Sequence, residues 1–452
     1  MKSINPANEQ LIKEYQCLSQ QEILNIIDDT QQCYLLWKES SFQTRSRLMF
    51  QLASVLRKNK QKYAETISLE MGKPISESKA EVEKSAWVCE YYAENAAQML
   101  QDEVLESDAS SSFVAPEPLG IVLAIMPWNF PFWQVFRFAA PAIMAGNAAL
   151  LKHASNVMGC AQIIEESFMM AGFPKALFSN LTISSSQVAE VIIHKNVKAC
   201  SLTGSEYAGS EVAATSGKVL KKTLLELGGS DAFIVLDDAD LKEAAKWGVL
   251  SRMLNNGQSC IAAKRFILHE KIADQYIKLL NQELDLWKIG DPLSEETKIG
   301  PLARKDLKDD LETQIADALY KGAQLIRGGN AIEGKGYFFE PTIIQNITKE
   351  MKLYTEESFG PVFALYIVKN EEEAIQLANN SEFGLGGSIW TQNIEKGVAL
   401  ARRVETGAMF VNGMTKSDPR LPFGGIKKSG YGRELSYYGI KEFVNLKCIW
   451  VK

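Results

Sequence analysis

Histidine is scarce in this chain and cysteine is unpatterned, and each absence removes a class of function. The only histidines are His153, His194 and His269. They lie far apart, with no HExxH or comparable spacing, so no metal site is expected. The seven cysteines, Cys17, Cys33, Cys89, Cys160, Cys200, Cys260 and Cys448, are odd in number and form no CxxC pair. That pattern argues against a disulfide framework and suits reduced thiols in a cytoplasmic enzyme. Positive charge is not in excess. The 49 Lys and Arg against 55 Asp and Glu leave a net charge of -6, which speaks against a dedicated nucleic-acid binder. The opening Met1-Lys2-Ser3-Ile4-Asn5-Pro6 has no apolar core of the kind a secretory signal needs. One uncharged stretch, 118–136, is long enough for a membrane span. Its Pro118, Pro127 and Pro131, with Asn129 and Gln134, would strand polar groups in lipid, so it reads as a buried strand and loop.

What is present is an ordinary soluble composition, 46% hydrophobic and 23% charged over 452 residues, enough for two or three domains. From about Gln21 to Asn95 apolar residues recur at spacings of three and four, as in Leu48, Leu52, Val55 and Leu56. This is a helical region, broken at Gly72-Lys73-Pro74. Ile121–Met126 is a continuous apolar run that reads as a fully buried strand, followed by a helix from Pro131 and a second strand at 148–152. Another strand-to-helix unit spans Val197 to Thr203 and Gly204-Ser205. A second series begins at 232–236 and continues through 264–268, 363–368 and 386–390. Strands alternating with helices predict an α/β fold with parallel sheets in two halves, the boundary falling near Leu227-Gly228-Gly229.

Two segments near that boundary carry chemistry. Asn255-Asn256-Gly257-Gln258-Ser259-Cys260 offers a thiol nucleophile, and Leu225-Glu226-Leu227-Gly228-Gly229 offers a carboxylate in apolar, close-packed surroundings. Together they suggest covalent catalysis followed by base-assisted hydrolysis. A lone cysteine is ordinarily a small buried hydrophobe, and the other six are read that way. A lone glutamate is ordinarily a surface ion pair. The flanking residues lift Glu226 above that reading, since apolar neighbours should raise its pKa toward a useful range.

The ordered motifs resemble the NAD(P)-dependent aldehyde dehydrogenase superfamily from about Asn5 to the C-terminus. They are Pro127-Trp128-Asn129-Phe130-Pro131, Lys152, Thr203-Gly204-Ser205, Glu226-Leu227-Gly228-Gly229, Gly257-Gln258-Ser259-Cys260, Glu356-Glu357-Ser358-Phe359-Gly360-Pro361 and Pro422-Phe423-Gly424-Gly425. The resemblance implies two doubly wound parallel-sheet domains and a small β oligomerisation element. The cofactor domain would take 1–98 and 119–227, and the catalytic domain 228–437. The oligomerisation element would take 99–118 and 438–452, giving a homodimer or homotetramer. It would comprise a hairpin near 99–118 and a C-terminal strand near 442–451. Val444, Leu446, Cys448 and Trp450 recur there at period two, as in a half-buried strand.

The resemblance also implies roles. Cys260 would attack the aldehyde as a thiolate, the Asn129 amide and the Cys260 backbone N–H would hold the oxyanion, and Glu226 would activate the hydrolytic water. Trp128, Lys152, Ser155, Gly204, Ser205, Glu357 and Phe359 would bind the cofactor. Lys152 would reach the adenosine ribose, Glu357 the nicotinamide ribose, and the helix after Gly204-Ser205 the pyrophosphate. Many NAD-preferring members carry a glutamate three positions after the lysine; here that position is Ser155. Losing the carboxylate relieves repulsion toward a 2′-phosphate, so NADP is expected to be preferred, with NAD also used.

For the substrate, Trp133 and Phe423 would line the tunnel. Arg137, with Ser417, would pair with a carboxylate, as in the succinate-semialdehyde dehydrogenase branch. Without the resemblance, Arg137 reads as a helix-surface ion pair. The chain departs from that branch at Leu254, where some members have a second arginine, and at Ala262, where some have a second cysteine. Glutarate semialdehyde and uncharged aldehydes therefore remain open, as do a CoA-acylating enzyme and a non-enzymatic scaffold. Glu226 speaks against the CoA-acylating reading, and intact Cys260, Asn129 and Glu226 against the scaffold.

Overall fold

The computed structural model describes residues 1–452. The helical N-terminal region resolves into Gln20–Trp37, Phe42–Lys58, Lys60–Met71 and Ile75–Met99. The break at Gly72-Lys73-Pro74 is where it is expected. Gly72 takes φ +83 and ends one helix, and Pro74 precedes the next. Six strands then form the first sheet, in the spatial order Gly430–Tyr431, Lys222–Glu226, Val197–Thr203, Ile121–Met126, Ala148–His153 and Phe178–Asn180. All pair in parallel except Gly430–Tyr431, which returns from late in the chain to run antiparallel beside Lys222–Glu226. Ile121–Met126 is the earliest strand of this sheet in the chain yet lies centrally, between Val197–Thr203 and Ala148–His153. The strand order therefore reverses between Ile121–Met126 and Val197–Thr203, and a crevice lies beyond the carboxyl ends of those two strands.

The chain leaves the first sheet at Glu226 and enters the second at Asp231. The second sheet has seven strands, ordered Gln324–Arg327, Thr342–Gln345, Val362–Val368, Ala263–His269, Asp231–Val235, Gly387–Trp390 and Phe410–Val411, with only the first antiparallel. A third, three-stranded sheet joins Glu103–Val104, Ser111–Pro118 and Val444–Val451. The hairpin and C-terminal strand thus form, but the C-terminal strand is not half-buried. Only Val444 is buried, while Leu446 and Trp450 are 55% and 50% exposed and Cys448 is also exposed. The period-two apolar pattern therefore faces no neighbour within this chain. The reading of six cysteines as buried hydrophobes holds for Cys89, Cys160 and Cys200, whereas Cys17 and Cys448 are exposed. No helix is long and apolar enough to cross a membrane.

Candidate active site

Cys260 ends a loop whose backbone is unusual from its first residues. Asn255, Asn256 and Gly257 adopt φ of +58, +57 and +78, three successive left-handed residues. Asparagine tolerates that region better than most side chains and glycine tolerates it freely, which accounts for the composition Asn-Asn-Gly. A Cβ on Gly257 would also fall 2.4 Å from the Gly360 carbonyl. Hydrogen bonds lock the turn. The Asn255 N–H donates to Glu77 Oε2 at 2.7 Å, Asn256 Nδ2 to the carbonyls of Gly72 and Pro301 at 3.0 and 2.9 Å, and the Ala303 N–H to Gln258 Oε1 at 2.9 Å.

Two buried cations fix the loop from below, and sequence reasoning assigned neither a role. Arg252 donates to the carbonyls of Val362 at 2.6 Å, Ser358 at 2.9 Å and Gly360. Lys264 donates to the carbonyls of Ser259 at 2.9 Å and Cys260 at 2.7 Å, and pairs with Glu357 at 2.9 Å. Their signal was a charge inside an otherwise buried element, plainest in the strand Ala-Lys-Arg-Phe-Ile-Leu-His, all of whose residues are buried. Burial pushes the Cys260 thiol up to about 12, against the pull of the Lys264 ammonium.

The Asn129 side chain is fixed at both ends. Its Nδ2 donates to the Gln258 carbonyl at 3.1 Å, and its Oδ1 accepts from Gln134 Nε2 at 3.1 Å. One Nδ2 proton remains uncommitted beside the cysteine loop. Gly229 lies close on the other side, where an added Cβ would meet the Cys260 carbonyl at 2.4 Å.

Cys260 lines two cavities at once. One, of about 360 Å³, is bounded by Trp128, Asn129, Thr203, Gly204, Ser205, Arg304, Glu357 and Phe359 among others. Its walls include the residues that follow the two strands at the order reversal. Ser205 caps the helix Glu206–Lys218, accepting from the Ala208 N–H at 3.3 Å, so the positive end of that helix faces this crevice. Trp128 and Phe359 meet edge to face at 5.7 Å on its wall, and the Glu357 carboxylate is held by the Gly229 N–H and Lys264. Lys152 and Ser155 are not on this wall. They sit at the end of the adjacent strand, Lys152 half-buried and paired in register with Ile125, Ser155 exposed just beyond. Burial lowers the Lys152 pKa.

The second cavity, of about 220 Å³, is lined by Lys84, Phe130, Trp133, Arg137, Leu254, Ile261, Lys416, Ser417 and Phe423 among others. All four expected substrate residues reach it. Arg137, however, already has a carboxylate partner. It is 3% exposed, ion-paired with Glu434 at 4% exposure, donates to Thr203 Oγ1 at 3.3 Å and lies 4.6 Å over the Phe423 ring. The pair is buried rather than on a helix surface.

Glu226 is also buried, and neither carboxylate oxygen has a hydrogen-bond partner. It lines neither cavity. Burial raises its pKa well above the usual carboxylate range, and Glu434 raises it further while Arg137 opposes the rise. Because Gly424 crowds it, with an added Cβ only 2.8 Å from Oε1, the carboxylate sits against the 422–425 motif.

A nucleophile held on a strained loop between a helix-capped crevice and a second pocket lined by cations, across two largely parallel sheets, defines a two-site α/β enzyme. The chain belongs to the aldehyde dehydrogenase family, which it matches over residues 1–449. It is 48% identical over 449 residues, 99% of both chains, to a probable NADP-dependent succinate-semialdehyde dehydrogenase of Synechocystis. To the NAD(P)-dependent succinate semialdehyde dehydrogenase Sad of Escherichia coli it is 44% identical, over 99% of this chain and 97% of the relative. Among solved structures, the succinic semialdehyde dehydrogenase of Streptococcus pyogenes in complex with NADP+ superposes with a TM-score of 0.98 at 41% identity, covering 100% of this chain and 99% of the other.

Proposed function

We propose that this protein oxidises succinate semialdehyde to succinate with NADP as its preferred cofactor, NAD also serving. The observation that carries the reading is the place of Cys260 on the shared wall of the two cavities, one capped by a helix N-terminus and the other lined by cations. An aldehyde entering past Trp133 and Phe423 reaches the sulfur, which adds to the carbonyl carbon. The resulting oxyanion takes hydrogen bonds from Asn129 Nδ2 and the Cys260 backbone N–H; losing one such donor typically costs about a hundredfold. When bound, the nicotinamide cofactor supplies the hydride acceptor. Lys152, Ser155, Ser205, Glu357, Trp128 and Phe359 are the residues to hold it, and Gly204 leaves room at the helix entrance.

The thioester left on Cys260 is then opened by water. Glu226 is the base assigned to that step: it takes the water proton as the hydroxyl adds and the thiolate leaves. Its side chain must first turn from the Arg137–Glu434 pair toward the sulfur. Unpaired cysteines fit a cytoplasmic setting. The apolar face of Val444–Val451 supports assembly as a homodimer or homotetramer.

The first test compares kcat/KM for succinate semialdehyde, glutarate semialdehyde and butanal, each with NADP and NAD. A preference for succinate semialdehyde with NADP is expected. Equal efficiency with butanal would overturn the acid-semialdehyde reading and leave a general aldehyde dehydrogenase. A second expectation concerns the exposed Ser155. Ser155→Glu should lower efficiency with NADP while sparing NAD, because a carboxylate repels the 2′-phosphate. An unchanged NADP/NAD ratio would remove Ser155 from cofactor choice.

A further inference from the structure

Resting on the assignment of Asn129 Nδ2 and the Cys260 backbone N–H as the oxyanion donors, we infer that Asn255 is the positioning residue that sets these two donors against each other, with Glu77 as its anchor. The donors come from separate parts of the chain, one from the loop 127–131 and the other from the loop 255–260. A shared oxyanion needs both at hydrogen-bond distance from one oxygen, so catalysis depends on the spacing between the loops. Asn255 spans that gap. Its Nδ2 donates to the Asn129 carbonyl at 2.8 Å and to the Gln258 carbonyl at 2.9 Å. Both amide protons are thereby spent, one on each loop.

The same Gln258 carbonyl also accepts from Asn129 Nδ2, at 3.1 Å. Asn129, Asn255 and Gln258 therefore close a triangle, with Gln258 two positions before Cys260. Asn255 is fully buried, and its Oδ1 has no partner. The amide is thus held by donation alone, because the reverse orientation would set that oxygen against two carbonyls. The left-handed backbone, at φ +58, does not by itself call for an amide, since glycine adopts it more freely. The cross-link between the loops accounts for the side chain.

The helix Ile75–Met99 holds this cross-link from outside. Glu77 Oε2 accepts from the Asn255 N–H at 2.7 Å. One turn further on, Glu81 Oε1 accepts from the Phe132 and Trp133 N–H groups, at 2.8 and 3.0 Å, just beyond the Asn129 loop. Residues four apart lie on one helix face, so a single rigid element holds both loops. Glu81 is itself paired with the buried Lys73, whereas Glu77 has no such ion pair and can be changed without stranding a buried cation.

The test reads kcat and KM for succinate semialdehyde and butanal, beside the rate at which iodoacetamide alkylates Cys260. Alkylation forms no oxyanion, so it reports the thiol and its loop without the donors. Asn255→Gly, which keeps the backbone conformation, should lower kcat about tenfold to a hundredfold for both aldehydes. KM and the alkylation rate should stay within about threefold of wild type. Asn255→Asp has the same shape but no donor and should lose at least as much. Glu77→Met should lower kcat several-fold, and Glu77→Gln should restore most of it, because an amide oxygen still accepts the Asn255 N–H. Unchanged kcat in Asn255→Gly, beside an Asn129→Ala variant that has lost it, overturns this inference alone. A loss carried by KM overturns it too, as does alkylation that quickens in step with the loss, the mark of a loop that has come apart. Equal kcat in the two Glu77 variants does the same, whether or not Asn255→Gly folds. An Asn129→Ala variant with wild-type kcat sinks the oxyanion assignment and this inference together.

Discussion

Cys260→Ala should leave a folded protein that oxidises no aldehyde, with kcat/KM lowered at least about ten-thousandfold. The loss is chemical, because no other thiol lines either cavity. Truncation removes only a sulfur from a half-exposed side chain, and the loop is held by Arg252, Lys264 and the asparagine contacts, none of which uses the thiol. Turnover within a thousandth of wild type would mean another nucleophile and would discard the mechanism. The ligand-free enzyme offers a companion measurement. With the thiol pushed up to about 12, little thiolate exists near neutrality, and a peptide covering Cys260 should alkylate more slowly than one covering exposed Cys17 or Cys448. Its rate should climb about tenfold per pH unit below that value. Mass spectrometry of the labelled peptides resolves the sites.

The fold was legible wherever burial is local to the sequence. Ile121–Met126 is buried on both faces of a parallel sheet, and so every residue of it had to be apolar or small. The short strands Phe178–Asn180, Thr342–Gln345 and Phe410–Val411 passed unnoticed because two to four residues carry too little period to separate from loop. Val444–Val451 misled for another reason: its alternation is genuine, but no surface within this chain covers it.

The site divides along a similar line. Cys260 and Glu226 announce themselves through neighbouring asparagines and glycines, and Asn129 through the prolines two residues to either side. Partnerships do not. Glu434 neutralises Arg137 from almost three hundred residues away, and Lys84 meets Ser417 across a longer interval. No spacing rule links them, so the sequence pointed to Arg137 without its partner Glu434. Deleting it is also a poor probe of substrate binding. It would leave Glu434 buried and unpaired, a defect worth about 3–5 kcal/mol of stability, and KM effects would be entangled with folding.

Glu226→Gln is expected to separate the two halves of the reaction. If Glu226 serves only the hydrolytic half, the variant should still form the thioester, releasing one equivalent of reduced cofactor per site in a burst. Steady turnover should then fall by about a hundredfold to ten-thousandfold, the usual worth of a general base. Glutamine keeps the shape but cannot take a proton. Folding should not suffer, for the wild-type carboxylate is buried with both oxygens unpartnered, and a neutral amide is cheaper to bury. The raised pKa fixes the sign of two pH effects. The base works only when ionised, so hydrolysis should accelerate as pH rises toward the raised value, and that limb should vanish in the variant. Stability runs the other way. Between the ordinary carboxylate range and the raised value, the folded state holds a proton that the unfolded state has lost, so wild type loses stability with rising pH relative to Glu226→Gln. Thermal unfolding of both proteins across that interval measures the difference. A variant that shows neither burst nor pH-dependent gain would place Glu226 among the structural groups around Arg137 and Glu434, and the hydrolytic base would have to be sought among the residues that do line the cavities.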